Sequence, residues 1–246
     1  MVWMNRGRVG CDKVVYDGFV FSDVFEVRDV HAPLLPPIEA STLEIADKPG
    51  AYFTSRKIRT RDVVITLALD AESRCPVDIN EAWAQFVPKL LKNTPCKLAI
   101  GSRGYLWAML TGETNIEQEA YKGVIETTFT CFDPFYYGES HEVPLKSGNN
   151  SFFVHGNCGA FPKFELSGIS GTCTIRNDGT GEQLRVTGLT STTTLRAYME
   201  EHYCTVNGSY READPTVSDF WSIGPGDCTI NLSAGSGKLT YQERSL

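Results

Sequence analysis

The sequence predicts a mainly β protein made of two β domains, the first carrying one α-helix. Three observations predict it. Runs rich in β-branched residues recur along the first half, one segment shows helical spacing, and the second half breaks into short strands between strong turn signals. The chain has 246 residues, 41% of them hydrophobic, which is enough for a core and excludes wholesale disorder. At roughly 100–200 residues per domain, that length favours two domains.

In the first half, residues 62–70 (Asp-Val-Val-Ile-Thr-Leu-Ala-Leu-Asp) are dense in β-branched side chains and bounded by charge, as a buried strand should be. Residues 105–110 form a second strand, stopped by Thr111-Gly112. Residues 124–132 alternate, placing Ile125, Thr127, Phe129 and Cys131 on one face. Asp133-Pro134 should end that strand, because proline cannot donate to a central ladder. The exception is 79–92, where Ile79, Ala82, Trp83, Phe86, Val87, Leu90 and Leu91 recur at helical spacing. Asn80 suits its N-cap, Pro88 should kink or divide it, and Asn93-Thr94-Pro95 closes it.

Residues 138–159 are rich in Gly, Asn and Ser, with Lys146-Ser147-Gly148-Asn149-Asn150-Ser151 at the centre. The expected organisation is therefore a first domain over 1–142, a linker over 143–158 and a second domain over 159–246. Beyond the linker, strands at 172–176, 183–187, 203–206, 228–232 and 238–241 are separated by Asn177-Asp178-Gly179-Thr180-Gly181, Asn207-Gly208 and Gly235-Ser236-Gly237. Asn207-Gly208 is the strongest hairpin signal, since both central residues must take positive φ. Short strands at near-regular spacing point to a sandwich.

Charge narrows the function classes. The chain holds 23 Lys+Arg against 30 Asp+Glu, a net −7. That balance argues against a general nucleic-acid binder or a protein adsorbing to anionic lipid. Residues 1–142 hold 15 basic and 20 acidic groups (15 − 20 = −5), and residues 143–246 hold 8 and 10 (8 − 10 = −2). No run approaches the ~18 apolar residues of a membrane span. Arg6 and Arg8 are followed by no apolar core, so no secretory signal is expected. Eight widely spaced cysteines without a C-x-x-C pair read as reduced thiols buried as small hydrophobes, with disulfides formed after release from the cell as the alternative.

Catalytic and ligand chemistry is sparse. Gly235-Ser236-Gly237-Lys238 lacks the leading glycine of a phosphate loop, and Leu239 stands where a magnesium-binding hydroxyl belongs. His155 and Cys158 have zinc-compatible spacing but no second pair. His31, His141, His155 and His202 lie in no nucleophile signature, and Glu200-Glu201 reads as a solvated edge. The expectation is a non-enzyme without cofactor or metal. Arg56-Lys57-Ile58-Arg59-Thr60-Arg61 is the one dense basic run, readable as a solvated face, an intersubunit strip or a phosphate contact. Tyr203, Tyr210, Phe220 and Trp221 are either core residues or a sugar-stacking platform.

In order along the chain come Tyr16-Asp17-Gly18-Phe19-Val20-Phe21-Ser22, Lys48-Pro49-Gly50-Ala51-Tyr52-Phe53, the strand over 59–69, the helix through Trp83, Phe86 and Leu90, and the closing run Phe132-Asp133-Pro134-Phe135-Tyr136. In that order they resemble the amino-terminal domain of the distal tail proteins of long-tailed, non-contractile (siphovirus-type) bacteriophages. Phe164-Glu165-Leu166-Ser167-Gly168, Ile175 to Gly181, Val206-Asn207-Gly208 and Ser218 to Gly226 resemble the family's galectin-like appended domain. The resemblance implies an N-terminal tail-tube-like β-sandwich or split barrel, then a galectin-like β-sandwich. It also implies a tail-tip protein of the virion, assembled in the bacterial host cytoplasm. Such a chain would form a homo-hexameric ring joining the tail tube protein to the tip hub protein and anchoring receptor-binding components, with DNA passing through unbound. Arg56, Arg59 and Arg61 become candidates for the subunit seam. The alternative is a carbohydrate-binding tail or adhesin subunit contacting glycan through Tyr210 and Trp221. A wall hydrolase is a third class, without an assembled catalytic set.

Overall fold

The computed structural model describes residues 13–70, 86–112, 116–119 and 122–246. The chain divides into two units, Met1–Tyr136 with Leu246, and Tyr137–Ser245.

The first unit contains β1 (Val14–Tyr16), β2 (Phe19–Val20), β3 (Glu26–His31), β4 (Ile38–Glu44), β5 (Ala51–Ile58), β6 (Arg61–Asp70), β7 (Cys96–Ile100), β8 (Tyr105–Thr111), β9 (Ile116–Glu119) and the start of β10 (Lys122–Val154). Pairing runs β10-β8-β7-β1-β2, while β6 bridges β10 and β3. The β6–β10 ladder extends antiparallel from Lys122↔Asp70 to Cys131↔Arg61. The alternation read from the sequence is the inward face: Ile125, Thr127, Phe129 and Cys131 are all buried. The Thr127 hydroxyl donates to the Ile65 carbonyl at 3.1 Å, which removes the cost of burying it. Around them pack Tyr16, Phe21, Leu67, Phe86, Leu98 and Leu106.

Two expectations for this unit need correction. The strand does not end at Asp133-Pro134; β10 continues through them. Pro134 lies beyond the last rung with β6 at Cys131, so its missing N–H takes nothing from that ladder. The helix, α1, occupies 86–90 of the described residues, and the Leu91 N–H donates to the Val87 carbonyl. Phe86 and Leu90 face the core, whereas Val87 and Leu91 are exposed. Ile79, Asn80, Ala82 and Trp83 lie outside the described residues.

The second unit holds the rest of β10 with β11 (Lys163–Ser167), β12 (Gly171–Asn177), β13 (Gln183–Leu189), β14 (Leu195–Tyr198), β15 (Tyr203–Val206), β16 (Ser209–Arg211) and β17 (Gly226–Ser245). Strand order is β16-β15-β14-β11-β17-β10, and β17 also pairs with β12, which pairs with β13. β17 thus serves two partners along one edge: β12 at Ile230–Leu232 and β11 over residues 236–240. Phe164, Leu166, Ile175, Val186, Trp221 and Leu239 fill the core. Asn207 and Gly208 take positive φ, 51° and 82°, as the hairpin signal requires.

Here too the Gly-rich stretches differ from expectation. The expected linker is strand as far as Val154, with Leu145 and Val154 buried. The Asn150 amide ties it down, donating to the carbonyls of Lys146, Gly148 and Ile230. Gly235-Ser236-Gly237 is no turn but the middle of β17. Gly235 takes φ +88°, and a Cβ on Gly237 would strike the Glu165 backbone. Both glycines let one long strand pass where side chains would block it. Glu200 and Glu201 sit in the turn after β14 rather than on a strand edge.

Cys96, Cys131, Cys173, Cys204 and Cys228 are free thiols; Cys11 and Cys75 lie outside the described residues. Burial pushes the Cys131, Cys173 and Cys204 thiols up from 9.0 to about 12.

Two outcomes are expected. Gly237→Ala should lower the urea unfolding free energy by about 1–3 kcal/mol, whereas Gly224→Ala, which meets open space, should change it by under about 0.5 kcal/mol. The three buried thiols have raised pKa values in the folded state, so the stability they contribute is complete below pH 9 and is lost as pH rises toward about 12. Urea midpoints followed across that window should fall less in a variant with all three replaced by alanine than in the parent.

Candidate functional site

Strands β4 and β5 form a two-stranded sheet of their own. Their register runs from Ile38↔Ile58 to Glu44↔Ala51, with a bulge between Ser41 and Thr42. Asp47 and Gly50 take positive φ at the turn, and the Lys48 N–H donates to the Ile45 carbonyl. Tyr52, Phe53, Thr54 and Ile58 on β5, with Ile38 and Thr42 on β4, are strand-favouring residues and suit this pairing. Their burial is not that of a core. Every residue of β4 is exposed, as is every residue of β5 but Ile58. Leu43 stands opposite Tyr52 and Thr42 opposite Phe53, so the apolar side chains use both faces. Phe53 is 67% exposed and Leu34, on the approach, 75%. A hairpin alone is marginal in water, and a contiguous exposed apolar patch marks an interaction site.

The basic run next to this hairpin splits. Arg56 lies on β5, opposite Ala40, and is exposed. Arg59 is exposed and pairs with Glu39, whose carboxyl it holds below the ordinary carboxylate range. An exposed pair of this kind adds little stability. Arg61 is different. It is fully buried, donates through Nη1 to the Pro33 carbonyl at 2.9 Å, and lies 4.8 Å over the Tyr136 ring. Arg61 therefore does not belong to a surface strip, because its alternation on β6 points it into the core.

That contact gives the Phe132–Tyr136 run a structural role. Tyr136 is buried beneath the Arg61 guanidinium, an arrangement that favours the cation. The Asp133 carboxylate accepts the Phe135 N–H at 3.3 Å, while Phe132 is exposed.

The two aromatic glycan candidates are not brought together. Trp221 is 2% exposed and packs edge-on against Phe164, so it is a core residue closed to a ligand. Tyr210, on β16, is 72% exposed. Tyr203 stacks on Tyr198, and Phe220 on His202. His155 stacks on His141 rather than joining Cys158, and among the described residues no three His, Cys, Asp or Glu groups are placed to hold a metal. No helix among them is long and apolar enough to cross a membrane.

Sequence reasoning passed over Leu34, Leu35, Ile38, Leu43 and Ile45, which lie on the surface; apolar character by itself carries no signal of exposure, because exposure depends on which strands cover a face.

Residues 155–244 match the family model described as the siphovirus-type tail component, C-terminal domain. The crystal structure of Dit from phage SPP1, described as a paradigm of the hub adsorption apparatus in phages infecting Gram-positive bacteria, superposes with a TM-score of 0.82. Identity is 15%, over 95% of this chain and 99% of that one. The resemblance to the distal tail family holds. In fold, the chain is mainly β in the way the resemblance implied. Two structures of the phage p2 baseplate in its activated conformation are more remote. The one with Sr gives a TM-score of 0.50 at 9% identity, over 91% of this chain and 92% of that one. The one with Ca gives 0.47 at 10%, over 93% of each. No curated protein matches the chain.

Removing the buried cation leaves Tyr136 uncovered and a void above it. Arg61→Ala should therefore cost about 2–4 kcal/mol in urea unfolding, and Arg56→Ala less than about 0.5 kcal/mol.

Proposed function

We propose that this chain is a structural subunit of a siphovirus-type tail tip, a distal tail protein that closes into a homo-hexameric ring. In the virion the ring joins the tail tube protein to the hub protein and carries receptor-binding components, after assembly in the cytoplasm of the bacterial host. The observation that supports the ring is the β4–β5 hairpin, which presents Leu43, Tyr52 and Phe53 to solvent and, among the described residues, pairs with no other strand. A closed ring needs a heterologous contact, one patch against a different patch on the neighbour. A protruding apolar hairpin is suited to supply one half of that contact, with Arg56 and Arg59 at its margin. Removing such side chains from water contributes roughly 1.5–3 kcal/mol each.

The role is structural rather than catalytic. The net −5 of residues 1–142 supports a ring through which DNA moves without adhering, since like charge repels the phosphates. No membrane is involved.

Negative-stain images and light scattering of the purified chain should give six-fold rings with a central hole. Leu43→Asp with Phe53→Asp should shift the particle to monomers while leaving the circular dichroism spectrum unchanged. A parent chain that stays monomeric at all concentrations, or a variant that assembles as the parent does, overturns the ring.

A further inference from the structure

His141, on β10, and His155, one residue past its end, meet within the second unit. A straight strand would hold residues 141 and 155 roughly 45 Å apart. Their rings instead stack with centroids 4.6 Å apart and planes at 12°. β10 therefore bends back on itself, with Gly148 midway at φ +97° and the Asn150 amide donating to the Lys146 and Gly148 carbonyls. The stack continues to Tyr241 on β17, 5.1 Å from His141, while Phe153 meets His155 edge-on at 5.3 Å. Backbone groups fasten the same place. The His155 N–H donates to the Tyr241 hydroxyl at 3.2 Å, and that hydroxyl donates to the Phe153 carbonyl at 3.3 Å. The Asn157 and Cys158 N–H groups donate to the Arg244 carbonyl at 3.1 and 3.2 Å. Gly156 takes φ +96°, and a Cβ on it would strike that carbonyl.

We propose that the His141–His155 stack is an acid-sensitive latch, which holds the segment after β10 against the end of β17 until both rings carry charge. Histidine is the side chain whose charge changes between pH 5 and 8. The groups around the pair set how many protons it tolerates. From β17 come the Tyr241 ring and Glu243, whose Oε2 lies 3.5 Å from the His141 Nε2. Arg244 is turned to the Tyr137 and Phe161 rings and donates to the Gly159 carbonyl. On β10 itself, Glu139 is exposed and Glu142 is paired with Lys238. In the segment after β10, the Cys158 thiol donates to the Asn157 side chain.

Glu243 thus supplies one negative charge to two imidazoles. A proton on His141 gains that carboxylate. A second proton, on His155, meets an imidazolium across the stack. The closed latch therefore takes up fewer protons than the open one, so closure is complete at high pH and weakens as pH falls through the histidine range. Water around the exposed His155 screens the repulsion and keeps the effect moderate. Opening frees the amides of His155, Asn157 and Cys158 together, because one short segment carries all three.

The latch lies within the second unit and does not depend on ring formation. Hydrogen exchange of the full chain tests it, resolved by mass spectrometry to residues 153–159 and corrected for the intrinsic pH dependence of amide exchange. Between pH 8 and pH 5, protection of that segment should fall about tenfold. His155→Phe keeps a ring in the stack without its charge, and should hold protection within about twofold over that range. His155→Gln should make protection independent of pH as well. Glu243→Gln removes the carboxylate facing the pair and should deepen the fall at least about threefold beyond the parent. His202→Gln, whose native ring stacks on Phe220, should follow the parent. Melting curves at pH 8 should show every variant folded. Protection that stays constant from pH 8 to pH 5 in the parent overturns the latch. So does a fall of equal size in the parent and in both His155 variants.

Discussion

The second unit depends on a single physical requirement: the backbone of one long strand, β17, must be hydrogen-bonded along its whole length. It meets this by pairing with β12 over one stretch and β11 over the next, with β10 on its other edge. Side-chain contacts follow that ladder on the β10 side: Thr229 to Ser151, Asn231 to Asn149, Lys238 to Glu142. A buried, unpaired backbone group costs on the order of a kilocalorie or more, so a strand shared between two partners couples both to one register. A polar row on the outer face is a consequence. Glu165, Lys238 and Arg196, one on each of three strands, align only while β17 and β11 keep their pairing.

The first unit shows the opposite condition. Its core is closed by β6 and β10, yet among the described residues β4 and β5 pair only with each other. Two strands satisfy half of their backbone groups and bury almost no apolar area. Hydrophobic residues in such a hairpin are costly in water and gain only when another surface covers them. The same balance explains the split basic run. Arg59 stays near the hairpin, where water solvates it, while two residues later Arg61 enters the core, where its guanidinium rests on the Tyr136 ring and donates to the Pro33 carbonyl.

These contrasts show which features were legible in the sequence. The inward face of β10, the strand over 62–70 and the Asn207-Gly208 turn follow from periodicity and from the φ that each residue tolerates, and these act over a few neighbours. Gly235-Ser236-Gly237 and the Asn- and Ser-rich run after Lys146 were misread for one reason. Glycine and asparagine favour turns locally, but here they serve close backbone approach and side-chain bonding to another strand, Glu165 in one case and Ile230 in the other. Nothing within ten residues of either site carries that information.

By itself, the sequence determined a mainly β chain, the strands whose alternation marks a core face, an acidic balance, and an order of motifs shared with the distal tail proteins. Only the tertiary structure decided that Trp221 is core while Tyr210 is surface, that Arg61 is buried while Arg56 is not, and that Leu43 and Phe53 face solvent. The reason is physical. Periodicity says which residues share a face, but whether that face is covered depends on strands distant in sequence, and exposure is a property of the cover.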